Sequence, residues 1–177
     1  MQPFYLRDED SIRKAMKYSN VVINLIGKDN ETASFTYNEV HIEGARQIAR
    51  IARESGVQRL IHVSALNSSP QPEPVILRNG SGFLKSKYFG ELAVREEFPD
   101  AIIFRPSDIY GIGDRHLMYW QNWERRSYLK ILLWKNGRGY FKMPVYRSDV
   151  AQGIVNAVFD DAAPGKTFDA VGYVLRG

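Results

Sequence analysis

The chain has 177 residues, of which 44% are hydrophobic, so it can bury one substantial core. Its formal net charge is +4, and because the basic residues are dispersed along the chain, this balance identifies no partner. The absence of cysteine excludes disulfides, iron–sulfur clusters and thiolate zinc sites. No apolar run is long enough to span a bilayer, and residues 1–10 lack the apolar core of a signal peptide.

Short apolar segments alternate with amphipathic ones, which predicts parallel strands joined by crossover helices. Asn20–Gly27 is typical of a buried strand that ends in a glycine. Thr36 and Glu39 have the spacing of a capping box, and apolar residues then recur at helical spacing as far as Ala52. Gly56 follows, where the end of a helix favours a left-handed residue.

The pattern continues in the middle of the chain. Val57–Ser64 is a predicted strand, and a proline-containing loop separates it from a helix predicted at about Ser81–Phe98. Ala101–Pro106 is a third strand, which its proline ends.

Three other segments belong to the same fold. Val145–Asp160 is a predicted helix with Ser148 or Asp149 as its N-cap, and Thr167–Val171 is a predicted last strand. Pro3–Leu6 has the pattern of the end of a strand.

We therefore expect one domain over residues 1–177, with an α/β fold in which helices cover both faces of a doubly wound, Rossmann-like parallel sheet. Ligands of such sheets bind beyond the carboxyl ends of the strands, here Leu25–Gly27, Val63–Ala65 and Pro106–Asp108. No G-x-G-x-x-G phosphate loop occurs in the sequence. We expect the domain to be truncated at its N-terminal βαβ unit and at its C-terminus.

Five strings, in this order and spacing, resemble the atypical, extended branch of the short-chain dehydrogenase/reductase superfamily. They are Asn24–Gly27, Gly56–Ser64, the helix that carries Lys87, Arg105–Gly111 and Tyr146–Val150. The likeness covers nearly the whole chain but matches the middle and later part of a longer family domain.

The resemblance implies a site without catalytic residues. Reductases of this superfamily use a tyrosine with a lysine four residues later, and a hydroxyl that steadies the substrate carbonyl. Lys87 fits the lysine position, but Phe83 stands four residues earlier and has no proton to give. Tyr88 points elsewhere on the helix, and the hydroxyl position falls at Ser64 or Ala65.

The same resemblance implies a set of residues that bind a nicotinamide dinucleotide: Leu25, Ile26, Gly27, Val63, Ser64, Lys87, Pro106 and Ser107. NADP(H) is expected in the full-length domain, although the sequence does not distinguish NADP from NAD. Binding by this chain alone is expected to be weak, because the pyrophosphate normally lies on amides of the first helix. The interpretation that competes with dinucleotide binding is that Lys87 is an exposed helix lysine and that the other residues simply end their strands.

Two other groups of residues bear on function. His41, His62 and His116 have no metal-ligand spacing, so structural roles are favoured and no metal is expected. Residues 115–141 form a predicted small lobe, in which aromatic and basic residues of 117–140 suit a protein or membrane surface or simple packing on the sheet. We expect no nucleic-acid partner.

Further strings resemble accessory subunits of mitochondrial respiratory complex I: Val22–Gly27, Ile61–Asn67, Phe98–Ile103, Pro106–Ile109, Pro144–Tyr146 and Gly153–Val158. This likeness implies a non-catalytic subunit on the matrix side of the inner membrane, which stabilises the assembly through a bound dinucleotide and contacts other complex I subunits. The alternatives are an NAD(P)-dependent reductase or epimerase and a regulatory module that senses dinucleotide.

Overall fold

A computed structural model of the chain describes residues 4–74, 78–114 and 143–172. The main sheet in these residues has four parallel strands in the order β1 (Val21–Asn24), β2 (Arg59–Val63), β3 (Ile102–Pro106) and β6 (Thr167–Ala170). A short parallel pair joins β4 (Ile109–Tyr110) to β5 (Val145–Tyr146). The expected parallel α/β sheet is confirmed.

The described helices are α1 (Glu9–Met16), α2 (Gly44–Glu54), α3 (Gly82–Glu97) and α4 (Arg147–Phe159). A π-helical segment, Asn38–Glu43, leads directly into α2. The last three helices and all four strands of the main sheet lie where the sequence predicts them.

The two central strands, β2 and β3, are buried on both faces, as strands of a parallel sheet usually are. Leu60 of β2 packs with residues of α1, α2 and α3, whereas its neighbour Ile61 packs with residues of α4. Alternate residues of a strand point to opposite faces, so each of the two hydrophobic cores takes every second side chain.

One edge of the sheet is open within the described part of the chain, where β2 is the only strand that pairs with β1. Ile23 of β1 is 42% exposed, and Leu25 beyond its end is 67% exposed. An apolar cavity of about 290 Å³ lies along this edge, between β1 and α1.

Helix α1 lies in a segment for which the sequence analysis predicts no helix. Asp8 is its N-cap and accepts hydrogen bonds from the amides of Asp10 and Ser11. The strand end predicted at Pro3–Leu6 is wrong for residues 4–6, because the carbonyl of Tyr5 accepts the Asp8 amide in a turn that leads into this helix. Pro3 lies outside the described residues.

The predicted capping box is confirmed. Thr36 N donates to Glu39 Oε2 at 2.8 Å, and Glu39 N donates to Thr36 Oγ1 at 3.2 Å. The π-helical segment that follows packs very closely on α3: a Cβ added to Gly90 would stand 2.1 Å from the carbonyl oxygen of His41. Only a glycine permits this approach.

The predicted N-cap of the last helix is wrong. Tyr146 occupies that position, and Ser148 and Asp149 lie inside the first turn of α4. The reason is strand pairing: Val145 and Tyr146 form β5 against β4, which leaves Arg147 as the first helical residue.

The predicted aromatic and basic lobe, 115–141, lies outside the described residues. Within the described ranges, no helix combines the length and the apolar composition that a membrane crossing requires.

Candidate functional site

Lys87 lies on α3, whose N-cap Ser81 accepts the Leu84 amide and so fixes where the helix begins. The lysine side chain is only 6% exposed, and its Nζ donates to the carbonyl oxygen of Val63 at 3.1 Å. A Cβ added to Gly27 would stand 3.1 Å from the same Nζ. The ammonium group therefore lies between the ends of β1 and β2, and the interpretation of Lys87 as an exposed helix lysine is wrong.

Burial changes the chemistry of this lysine. Removal from water lowers the pKa of Lys87 to about 8, and the nearby Glu91 partly opposes that shift. An ammonium group has three donors, and within the described residues the Val63 carbonyl is the one protein acceptor that it reaches. The remaining donors suit the oxygen atoms of a bound ligand.

The buried carboxylate of Glu91 has hydrogen-bond partners of its own. Arg105 Nη2 donates to Glu91 Oε2 at 2.6 Å, and Ser68 Oγ donates to Glu91 Oε1 at 2.7 Å. The Arg105–Glu91 hydrogen bond raises the pKa of Arg105. Glu91 lies one helical turn from Lys87, and its charge opposes the lowering of the Lys87 pKa.

Two side chains hold the segment that follows β1, here called the rim loop (residues 25–28). Asn24 Oδ1 accepts the Ile26 amide at 3.0 Å, and His41 Nε2 accepts the Lys28 amide at 2.9 Å. His41 is thus a site residue that sequence reasoning assigned to structure alone. The sequence carries no local signal for this role, because it depends on how the π-helical segment packs on α3.

The position four residues before Lys87 is filled by an apolar ring. Phe83 meets His41 edge-on, with ring centroids 5.4 Å apart, and meets Tyr37 edge-on at 6.0 Å. The hydroxyl of Tyr37 donates to the carbonyl oxygen of Asp29 at 2.8 Å, and burial together with Glu31 raises the pKa of Tyr37. This phenol is therefore a poor proton donor for a ligand.

The hydroxyl of Ser64 is buried, and within the described residues it has no hydrogen-bond partner. His62 Nε2 is in the same condition, and the two residues lie on the same face of the sheet because they are two positions apart. The Ser64 oxygen is covered by protein atoms, so in this structure it does not reach the surface of the rim.

Pro106 and Ser107 lie one strand further along the same rim. The carbonyl of Pro106 accepts the Leu66 amide at 2.9 Å, and Ser107 N donates to the carbonyl of Ala170 at 2.9 Å. The structure therefore brings Gly27, Val63 and Lys87 together. It places the other predicted residues beside them: Leu25 exposed, Ile26 and Ser107 half-buried, Ser64 and Pro106 buried.

A parallel sheet with helices on both faces, whose ligands bind beyond the carboxyl ends of the strands, is typical of the class of nucleotide-binding domains. The chain belongs to the NAD(P)H-binding family, whose model matches residues 4–161. It is 48% identical over 166 residues to a mitochondrial protein of Mus musculus, the NADH dehydrogenase (ubiquinone) 1 alpha subcomplex subunit 9. That match covers 94% of this chain and 42% of the mouse protein, and it confirms the predicted likeness to complex I subunits.

Two further comparisons agree with this placement. The mitochondrial NADH-ubiquinone oxidoreductase 40 kDa subunit of Neurospora crassa is 36% identical over 172 residues, covering 97% of this chain and 42% of that protein. The chain thus spans less than half the length of these relatives. A dTDP-4-dehydrorhamnose reductase from Clostridium acetobutylicum has the same fold, with a TM-score of 0.74, 17% identity, and coverage of 96% of this chain and 62% of that one.

Proposed function

We propose that this chain is part of a non-catalytic accessory subunit of mitochondrial respiratory complex I, and that it stabilises the assembly by holding a nicotinamide dinucleotide at its sheet rim. The observation that carries the proposal is the pairing of a buried Lys87 with Phe83 one helical turn earlier. The first residue can bind a ligand oxygen, and the second removes the acid that catalysis needs.

The residues of the rim fit the ribose of a dinucleotide. Lys87 offers donors to hydroxyl oxygens, and Gly27 leaves the space beside the ammonium group open. Leu25 and Ile26 would border the ligand from β1, and Pro106 and Ser107 would border the nicotinamide from β3. NADP(H) is the proposed form of the cofactor, and it would supply a hydride when bound.

Within the described residues, neither Phe83 nor Ser64 offers a group that would deliver a proton to a carbonyl. Phe83 is an apolar ring packed against Tyr37 and His41, and the Ser64 hydroxyl is buried. A bound dinucleotide would therefore act as a structural ligand, adding its binding free energy to the stability of the folded subunit.

The names of the relatives supply the proposed location and partners. Both are named as mitochondrial proteins of NADH dehydrogenase or NADH-ubiquinone oxidoreductase. We place this protein with other complex I subunits on the matrix side of the inner membrane. A further contact with the membrane surface through 117–140 is part of the proposal, and that segment lies outside the described residues.

The test is made on the full-length protein that contains these residues. Affinity purification from mitochondria followed by native electrophoresis should recover it in the complex I band, with NADP(H) released on denaturation. Purified protein should bind NADPH without reducing carbonyl substrates, and Phe83→Tyr should be the variant that gains any activity. Carbonyl reduction by the unaltered protein at ordinary enzymatic rates would overturn the non-catalytic assignment, and absence from complex I would overturn the assembly role.

A further inference from the structure

The rim loop depends on a chain of hydrogen bonds that runs from α3 through His41. The hydroxyl of Ser86 donates to the carbonyl oxygen of Phe83 at 2.8 Å and lies 2.8 Å from His41 Nδ1. On the other side of the ring, Nε2 lies 2.9 Å from the amide nitrogen of Lys28. The imidazole thus connects the helix that carries Lys87 to the loop that carries Gly27.

These contacts define one form of the ring. An amide N–H can only donate, so Nε2 of His41 has to be the unprotonated nitrogen, and Nδ1 carries the hydrogen that is donated to Ser86. Burial and the charge of Lys87 lower the pKa of His41 to about 4, so the neutral ring persists throughout the physiological range. A neutral imidazole is required, because a protonated Nε2 could not accept the Lys28 amide.

The ring also sets the distance between the loop and the ammonium group. A Cβ added to Gly27 would stand 3.1 Å from Lys87 Nζ and 3.8 Å from His41 Nε2, so all three groups converge on one point. The π-helical segment that carries His41 makes this convergence possible, and such segments are frequent at functional sites.

We propose that His41 is a positioning residue for the dinucleotide site: as a neutral acceptor held by Ser86, it fixes the Lys28 amide and so keeps the rim loop in the conformation that binds the cofactor ribose. This inference rests on the proposed dinucleotide binding. His41 does not touch the ligand itself but acts through the backbone of Gly27 and Lys28.

The variants His41→Gln and His41→Leu separate this role from simple packing. The amide oxygen of glutamine can stand near the position of Nε2 and accept the Lys28 amide, whereas leucine fills the space without an acceptor. In the full-length protein, we expect His41→Leu to weaken NADPH binding by roughly tenfold, the scale of one lost buried hydrogen bond, and His41→Gln to restore most of the affinity. NADPH fluorescence on binding measures both.

Amide exchange at Lys28 is the second measurement. It should accelerate in His41→Leu and remain slow in His41→Gln, with no cofactor present. If the leucine variant does not fold, Ser86→Ala replaces it: loss of the hydroxyl frees the ring to rotate, and NADPH binding should weaken several-fold.

The outcomes separate the two proposals. Equal NADPH affinity in the unaltered protein and His41→Leu, or in the unaltered protein and Ser86→Ala, overturns the positioning role and leaves the cofactor site intact. Failure of glutamine to restore affinity to a folded variant also overturns it. If the unaltered full-length protein binds no dinucleotide, the proposed function fails and takes this inference with it.

Discussion

Lys87 Nζ lies 3.1 Å from the carbonyl oxygen of Val63, so the last residue of β2 binds a buried ammonium group that is carried by α3. Burial of a charge costs free energy unless its partners compensate it fully. A pKa lowered from 10.5 to about 8 corresponds to a cost of about 3 kcal/mol. The cost indicates that Lys87 serves function rather than stability.

Lys87→Met should therefore stabilise the protein while it removes the cofactor site. We expect a gain of roughly 1–2 kcal/mol in the free energy of unfolding at pH 7, less than the full cost because the Val63 carbonyl loses its partner. Lys85→Met is the matched control, since Lys85 is exposed on the same helix and should change neither property. Denaturant unfolding and NADPH titration of the full-length protein measure the two effects.

The pH dependence of this gain provides a second check. The unfolded chain keeps the lysine proton up to its ordinary pKa of 10.5, whereas the folded protein releases it near pH 8. The stability of the unaltered protein relative to Lys87→Met should accordingly rise between these two values and be constant below pH 8. A constant difference throughout the range would contradict the buried, charged lysine.

Two buried histidines should make the protein sensitive to acid. Burial lowers the pKa of His41 to about 4 and that of His62 to about 3, from 6.5 in the unfolded chain. As the pH falls below 6.5, the unfolded state takes up protons that the folded state does not, so each histidine removes about 1.4 kcal/mol of stability per pH unit. His62→Gln should remove one of these contributions, measured as a shallower loss of unfolding free energy between pH 6.5 and 5.

His116 provides the comparison for that experiment, although it lies outside the described residues. His116→Gln should leave the acid sensitivity unchanged if the effect arises from the two buried rings. Equal slopes for the unaltered protein and His62→Gln would show that His62 does titrate in the folded state.

The 177-residue chain on its own should bind NADPH weakly. Lys87 and the rim loop can hold a ribose, but the sequence has no G-x-G-x-x-G loop whose amides would take the pyrophosphate. Calorimetry on the isolated chain should give a dissociation constant well above the micromolar range. Submicromolar affinity would mean that another part of these residues replaces the phosphate loop.

The open edge of β1 should make the isolated chain associate with itself. Strand edges with unpaired amides and apolar side chains recruit other chains, and Ile23 is well placed to contribute. Ile23→Lys should reduce association, measured by light scattering, because a charge at an edge disfavours pairing. Val155→Lys on α4 is the control. Val155 is similarly exposed, but it belongs to a helix and not to the edge of a sheet.

Amide exchange at Val21–Leu25 completes this test. The amides should exchange quickly wherever the edge is free. A monodisperse monomer with strongly protected amides in this range would show that the edge is covered and that the predicted topology is wrong.

The sequence predicts the four strands of the main sheet, the three later helices and the meeting of the ends of β1 and β2 at one rim, because apolar periodicity and the capping box are local signals. Helix α1 also had local signals, Asp8 as N-cap and the spacing of Ile12 and Met16 on one face, which were not recognised. His41 could not be assigned in this way, because its role depends on how the π-helical segment packs on α3. Tertiary packing of that kind leaves no periodic pattern.

Gly90 has a consequence for how variation in this protein is interpreted. Its Cα lies so close to the His41 carbonyl that a single methyl group would push apart the two segments that carry the histidine and the lysine. A residue with no side chain thus governs the spacing between the segment of His41 and the helix of Lys87. Gly90 is not among the residues expected to bind the cofactor, so a substitution there would look harmless in the sequence. An assay of that variant should nevertheless show loss of cofactor binding, because the new side chain would collide with the His41 backbone.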